Sequence, residues 1–194
     1  MRAILLAFIL ATWTFQADAQ VVVQAIHTAL QPQIGRDANG FKVCGIRAVV
    51  LDKKPMVVDA YDFSINIRAD IFAGLIKAGK STTLLTDFNR GKTSSKVVLP
   101  APTSVWIAGE LDGKPLLPTE IIPAETPGFI LAGAELVQTW KVILAMMQGE
   151  RMQFAVRYKD QDVDTVVSFS GSLKDEELKP LFACLEGLQS RMQN

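Results

Sequence analysis

Tyr61, Phe63, Ile65 and Ile67 alternate with Asp62, Ser64, Asn66 and Arg68 within the run Met56 to Arg68. No other stretch constrains the fold as tightly. Successive side chains of a strand point to opposite faces, so this pattern gives one face to a core and the other to water. A sheet wetted on one side favours antiparallel pairing. Phe41 to Leu51, apolar and β-branched around Cys44, reads as a neighbouring strand, with Lys53-Lys54-Pro55 turning the chain between them.

The C-terminal third supplies the helices. From Ala134 to Met147, the residues Leu136, Val137, Trp140, Ile143, Leu144 and Met147 recur at spacings of three and four, which places them on one helical face. Gly149 follows, where a residue without Cβ ends a helix most cheaply. The period then returns to two: Met152, Phe154, Val156 and Tyr158 form one strand. Lys159 to Asp162 turns, and Val163 to Phe169 is the partner strand. Ser172 and Asp175 resemble a capping box, and Asp175, Glu176 and Glu177 suit a first helical turn. Pro180 leaves two readings open, a helix restarting at Pro180 or one helix kinked there. Leu181, Cys184, Leu185, Leu188 and Met192 form its apolar stripe. The expected fold class is α+β: a mainly antiparallel sheet with two packed helices, the last one C-terminal.

The first segment reads as an address. Arg2 gives a positive start, Ala3 to Ala11 is apolar and too short for a permanent span, and Ala17-Asp18-Ala19 is a cleavage pattern. Residues 1–19 are therefore expected to be a cleaved signal peptide. Residues 20–194 would form a single periplasmic (or secreted) domain, with no membrane anchor after cleavage. Cleavage removes Arg2 and Asp18, so the formal net charge stays at +0. A neutral chain has no electrostatic footprint for nucleic acid.

Cys44 and Cys184 are the 2 cysteines. In an oxidising compartment they most simply make one disulfide bond, which would close a loop of about 140 residues and contribute roughly 5 kcal/mol in the chain-entropy picture. Two buried free thiols are the competing reading. A redox pair lacks the C-x-x-C spacing.

Elsewhere the pattern is weaker. Val21 to Leu30 reads as a short helix or a loosely held leader, stopped by Pro32. Asp70 caps an expected short helix, Ile71 to Ala78, ending at Gly79. Thr82 to Phe88, Lys96 to Leu99 and Ser104 to Ala108 are expected strands. Leu111 to Gly133 is rich in Pro and Gly and should hold little regular structure, with Phe129, Ile130 and Leu131 pinning it to the core.

Few residues carry recognisable chemistry. Gly74 to Ser81 matches the phosphate-loop pattern G-x-x-x-x-G-K-[ST] through Gly74, Gly79, Lys80 and Ser81. Such a loop belongs between a buried strand and a helix, and here it falls inside an expected helix and its cap. Asp160, Asp162 and Asp164 open like a calcium loop, but Thr165 and Gly171 stand where Gly and Glu are needed. His27 is the 1 histidine, so catalytic triads and zinc sites lack members. Asp59, Asp62, Glu110, Glu120, Glu125 and Glu135 are the carboxylates available for acid–base hydrolysis. Trp106 and Phe129 offer a possible partner surface, and core packing is the competing reading.

Phe169-Ser170-Gly171-Ser172-Leu173, leading into a Cys-bearing terminal helix, resembles the tails of exported bacterial proteins such as the invasion-associated locus B family. The resemblance is confined to that C-terminal stretch, the four-cysteine pattern of the family is missing, and no function or residue is carried across. The expectation is a non-catalytic exported binding or protein-interaction module, an envelope accessory or inhibitor-like protein. It would need no cofactor or metal, and its partner would be a periplasmic or envelope protein. A small periplasmic hydrolase using paired carboxylates is the alternative.

Overall fold

A computed structural model describes residues 20–24, 27–87, 92–109 and 115–193. The expected signal peptide, Glu110 and the start of the proline-rich stretch lie outside the described residues. In chain order the elements are β1 (Gln20–Gln24), β2 (His27–Asp37), β3 (Gly40–Lys54), β4 (Val57–Arg68), β5 (Ala73–Asp87), β6 (Lys92–Val98), β7 (Ser104–Gly109), β8 (Pro118–Pro123), β9 (Phe129–Ala134), α1 (Leu136–Met147), β10 (Met152–Arg157), β11 (Asp164–Phe169) and α2 (Asp175–Gln193). The class is α+β, mostly antiparallel sheet with two helices, the last C-terminal.

The strands divide into two sheets. A four-stranded sheet runs β1-β11-β10-β7, and a seven-stranded sheet runs β2-β3-β4-β5-β9-β8 with β6 paired to the far half of β5. The inner faces meet where Phe63 of β4 packs on Phe154 of β10, ring centroids 4.5 Å apart, with Phe169 of β11 5.4 Å from Phe154. The alternation in β4 is realised as the pattern requires: Tyr61, Phe63, Ile65 and Ile67 are buried. On the opposite face Asp62 accepts from the Arg47 Nε at 2.8 Å.

Both helices pack on the same inner face. Glu135 caps α1, its carboxylate accepting from Val137 N at 3.0 Å and Gln138 N at 2.7 Å, and Gly149 ends the helix with a positive φ of 77°. The buried arc is Thr139, Ile143, Ala145, Met146 and Met147, so it is rotated from the expected face and leaves Val137 exposed. One helix, α2, runs through Pro180 without a restart. Its cap sits two residues later than expected: Glu177 reaches back to Lys174 N at 2.9 Å, and Ser172 has no such role. Leu181, Cys184, Leu185 and Leu188 are buried. Cys44 and Cys184 form the disulfide, with Cα atoms 5.8 Å apart and both residues fully buried.

Three expectations are corrected. The segment 71–78 is strand: Ile71 and Phe72 belong to the β4–β5 turn and β5 begins at Ala73, paired with β4 on one side and β9 on the other. A short apolar run does not distinguish helix from buried strand by period alone, and here pairing with long neighbours decides. Asp70 holds Arg68 (2.9 Å to its Nε) and Lys42 (3.3 Å) instead of capping a helix. Val21 to Leu30 contributes β1 and β2, and Pro32 is tolerated because β2 is an edge strand. The proline-rich stretch contains β8 and β9, an antiparallel pair whose prolines bound the edge strand β8 at Pro118 and Pro123.

Candidate functional site

One end of the inner face is not apolar. The register that buries Phe63 and Tyr61 continues to Asp59, which is only 4% exposed. Across the ladder Asp59 faces Asp52 of β3 on one side and Thr82 of β5 on the other, and Tyr61 faces Lys80. Lys54, two residues beyond Asp52, completes the row. The small sheet and the turn after β10 bring Tyr158, Gln161 and Thr165 towards this end. An open cleft of about 700 Å³ is lined by Val21, Val23, Asp52, Lys54, Tyr61 and Lys80. A contiguous chamber of about 290 Å³ is lined by Tyr61, Lys80, Pro100, Tyr158, Gln161 and Thr165.

The charges inside this cleft are partnered with one another. Thr82 Oγ1 donates to Asp59 Oδ1 at 2.6 Å. Lys80 Nζ lies 3.0 Å and Lys54 Nζ 3.3 Å from Asp59 Oδ2, and Lys54 Nζ also lies 3.2 Å from Asp52 Oδ2. The Lys80 ammonium sits 5.1 Å from the Tyr61 ring centroid. Burial alone would raise the Asp59 carboxyl. The hydrogen bonds from Thr82 and Lys80 and the lysine charges outweigh it, leaving Asp59 below the ordinary carboxylate value. A hydrogen bond to Asp52 raises Lys54, against a smaller effect of burial. Both tyrosines are pushed up, chiefly by burial and then by the charge of Asp59, Tyr158 to about 12. They are therefore neutral hydroxyls at physiological pH.

The Tyr158 hydroxyl is buried and has no hydrogen-bond partner among the described residues. Leaving such a group unpaired costs about 1–3 kcal/mol. Tyr158 lines the smaller chamber, and an acceptor brought within reach of its hydroxyl would recover that cost.

The residues singled out from sequence are scattered. Trp106 lies on the outer face of the small sheet, its Nε1 donating to Asp164 Oδ2 at 3.4 Å. That reach from β7 to β11 carries the indole over β10, and Ala155 beneath it is fully buried. Phe129 lies on the outer face of the large sheet, with the Lys77 ammonium 5.1 Å from its ring centroid. The two aromatics belong to different sheets and do not form one surface.

The phosphate-loop match is a strand. Gly74 to Ser81 lies wholly within β5, with both neighbours paired along Gly74 to Gly79. Close packing accounts for its glycines. A Cβ on Gly74 would fall 1.9 Å from Thr139 Oγ1, and one on Gly79 would fall 2.4 Å from the Phe129 ring. The first admits α1 and the second an aromatic ring. Lys80 is drawn into the cleft by Asp59.

Of the candidate carboxylates among the described residues, only Asp59 reaches the cleft. Asp62 pairs with Arg47 outside, Glu135 caps α1, and Glu120 and Glu125 are exposed. Asp164 accepts from Arg157 Nε at 2.7 Å, while Asp160 and Asp162 are exposed, and no group of three or more His, Cys, Asp or Glu side chains among the described residues could hold a metal ion. His27 is exposed on β2. Asp52, Lys54, Lys80, Thr82 and Tyr158 were not legible as a group. A signal for the site did exist: Asp59 shares the parity of Tyr61, Phe63, Ile65 and Ile67, a carboxylate on the core-facing register.

No family model, curated protein or solved structure matches this chain.

Proposed function

We propose that this protein is a non-catalytic binding module, exported to the periplasm or secreted, that holds a small, neutral, polar ligand in the cleft between its two sheets. The single observation that carries the reading is Tyr158, which lines the chamber and whose buried hydroxyl has no partner among the described residues. Around it Asp52, Lys54, Asp59 and Lys80 neutralise one another, so the cleft favours neither an anion nor a cation. Donors and acceptors from Tyr158, Gln161 and Thr165 alternate with the apolar surfaces of Tyr61 and Pro100, a mixture suited to a ligand carrying both hydroxyl or amide groups and a small apolar surface.

Asp52 and Asp59 lie opposite one another, and this favours the hydrolase as the second reading. Acid catalysis needs a carboxyl held protonated near neutral pH. Asp59 is shifted the other way, and Lys54 ties both carboxylates. Export is supported by the leader-like residues 1–19 and by a buried disulfide, the kind of bond that persists in oxidising compartments.

Calorimetry with cellobiose, an uncharged dipeptide amide and inorganic phosphate tests the reading. A neutral probe should bind, and Tyr158→Phe should weaken it by about tenfold, the loss of one buried hydrogen bond. Heat from phosphate alone, or binding indifferent to Tyr158→Phe, contradicts it.

A further inference from the structure

Asn39-Gly40 is the one asparagine–glycine pair in the chain, and it closes the hairpin between β2 and β3. Asp37 faces Gly40 across the last rung of that ladder, so Ala38 and Asn39 form the turn. Gly40 stands at a φ of 109°, a conformation strained for any residue with a side chain. Turn chemistry therefore accounts for both residues. It also sets a carboxamide beside an unshielded backbone nitrogen.

Asn39 is exposed, and its side chain has no hydrogen-bond partner among the described residues. Only its backbone N–H is held, donating to Asp37 Oδ1 at 2.8 Å. A Cβ placed on Gly40 would meet no atom within 4 Å beyond its chain neighbours. The Asn39 carboxamide is thus free to fold over the Gly40 nitrogen. Asn66 differs on each count: it lies inside β4, its Nδ2 donates to Ser64 Oγ at 3.2 Å, and the β-branched Ile67 follows it.

One guanidinium straddles the same turn. Arg191 of α2 donates to the two Asp37 oxygens at 3.1 and 3.2 Å and to the Phe41 carbonyl at 3.0 Å. Asp37 precedes the Asn39–Gly40 bond and Phe41 follows it. The length of backbone between them therefore decides whether one side chain can reach both.

We propose that Asn39 is a site of spontaneous modification through a succinimide, and that its isoaspartyl product releases Arg191 from the turn. The Gly40 nitrogen, its proton lost to base, attacks Asn39 Cγ. The bond from Cγ to the amide nitrogen breaks and ammonia leaves. Water then opens the ring at either carbonyl. Opening at Cγ gives aspartate at position 39. Opening at the main-chain carbonyl gives isoaspartate, whose backbone runs through Cβ and Cγ and is one atom longer. Asp37 and Phe41 then no longer present both acceptors to Arg191, and the last turn of α2 loosens. This assignment is independent of the cleft ligand.

Purified protein held at neutral and at mildly alkaline pH tests it, with peptide mapping by electron-transfer mass spectrometry. Asn39 should convert to aspartate and isoaspartate, faster at the alkaline pH, while Asn66 remains an amide and the Asn39→Ser variant is unchanged. Hydrogen exchange on the separated isoaspartyl fraction reads the clamp. The Arg191 and Met192 amides should exchange about tenfold faster than in fresh protein, the loss of one charge-assisted anchor. Arg191→Met should show that acceleration from the outset and gain none on ageing. Asn39→Asp, which adds the charge without lengthening the backbone, should show none. An Asn39 that stays an amide at alkaline pH overturns the proposal. So does an isoaspartyl fraction whose α2 amides exchange as in fresh protein, or an equal acceleration in Asn39→Asp.

Discussion

The inner face of β3 and β4 has two ends, and one ladder runs between them. At one end Cys44 and Ile67 pair, both fully buried, beneath α2. Gly187 of α2 lies against Phe41, where a Cβ would fall 2.4 Å from the ring, and Arg191 donates to the Phe41 carbonyl at 3.0 Å. At the other end the same face carries Asp52, Lys54, Asp59 and Tyr61 under an open cleft. Between them Ile46, Ala48 and Val50 face Ile65, Phe63 and Tyr61. Strand geometry is common to both ends, so the difference lies in what covers them: a crosslinked helix at one, and only the margin of the small sheet at the other. Substitutions at the closed end should therefore register mainly as lost stability, and those at the open end as lost binding.

The largest effect expected is at the disulfide. Replacing Cys44 and Cys184 together by alanine should destabilise the protein by about 2–5 kcal/mol, measured by denaturant unfolding of the two forms. Gly74→Ala comes next, because its Cβ would strike Thr139 Oγ1 beneath α1, a cost of about 1–3 kcal/mol. If the glycine is there to admit the helix, pairing this change with Thr139→Ala should restore most of the loss. A phosphate-binding role for Gly74 predicts no such rescue.

Asp59→Asn should cost less, about 1–2 kcal/mol at neutral pH, since Lys54 remains largely in solvent. Its pH dependence sharpens the contrast. The folded Asp59 carboxyl lies below its unfolded value of 3.8, so the unfolded chain binds the proton first. The stabilisation is full above that value and is lost as pH falls through the folded one. Asp70, held near about 2 chiefly by the hydrogen bond from Arg68, titrates in the same sense. Asp59→Asn should reduce the acid-side slope and leave the Asp70 share in place, as stability measured from pH 6 downwards would reveal. Tyr158→Phe should have the smallest effect, leaving thermal stability unchanged or slightly raised, because it deletes a buried hydroxyl with no partner among the described residues. A loss of more than about 1 kcal/mol would mean that the hydroxyl is part of the packed interior.

Legibility in the sequence followed the same division. Periods of two and of three to four located β4, α1, β10 and α2, because burial on one face writes itself into spacing; composition and turns located β3 and β11, and the cysteine count located the crosslink. The first half of β5 escaped because Ala73 to Ala78, apolar except for Lys77, is too short for its period to tell helix from strand, whereas the second half overlaps the expected strand Thr82 to Phe88. β8 escaped because Pro118 and Pro123 read as loop until an edge position makes them permissible, and β9, which holds no proline, because it continues the proline-rich stretch that precedes it. The cleft was hidden for a different reason: Asp59, Lys80 and Tyr158 come from separate strands, and only pairing and sheet packing bring them together. Asp59 on the apolar parity of β4 was the one residue that announced it.

Native-state hydrogen exchange along β3 and β4 tests the division most directly. Amides of Ile46, Ala48, Ile65 and Ile67 should exchange only through global unfolding, whereas those of Asp52, Lys54, Asp59 and Ala60 should exchange through a local opening of lower free energy. Equal protection along both strands, or weaker protection beside Cys44 than beside Asp59, would contradict the account.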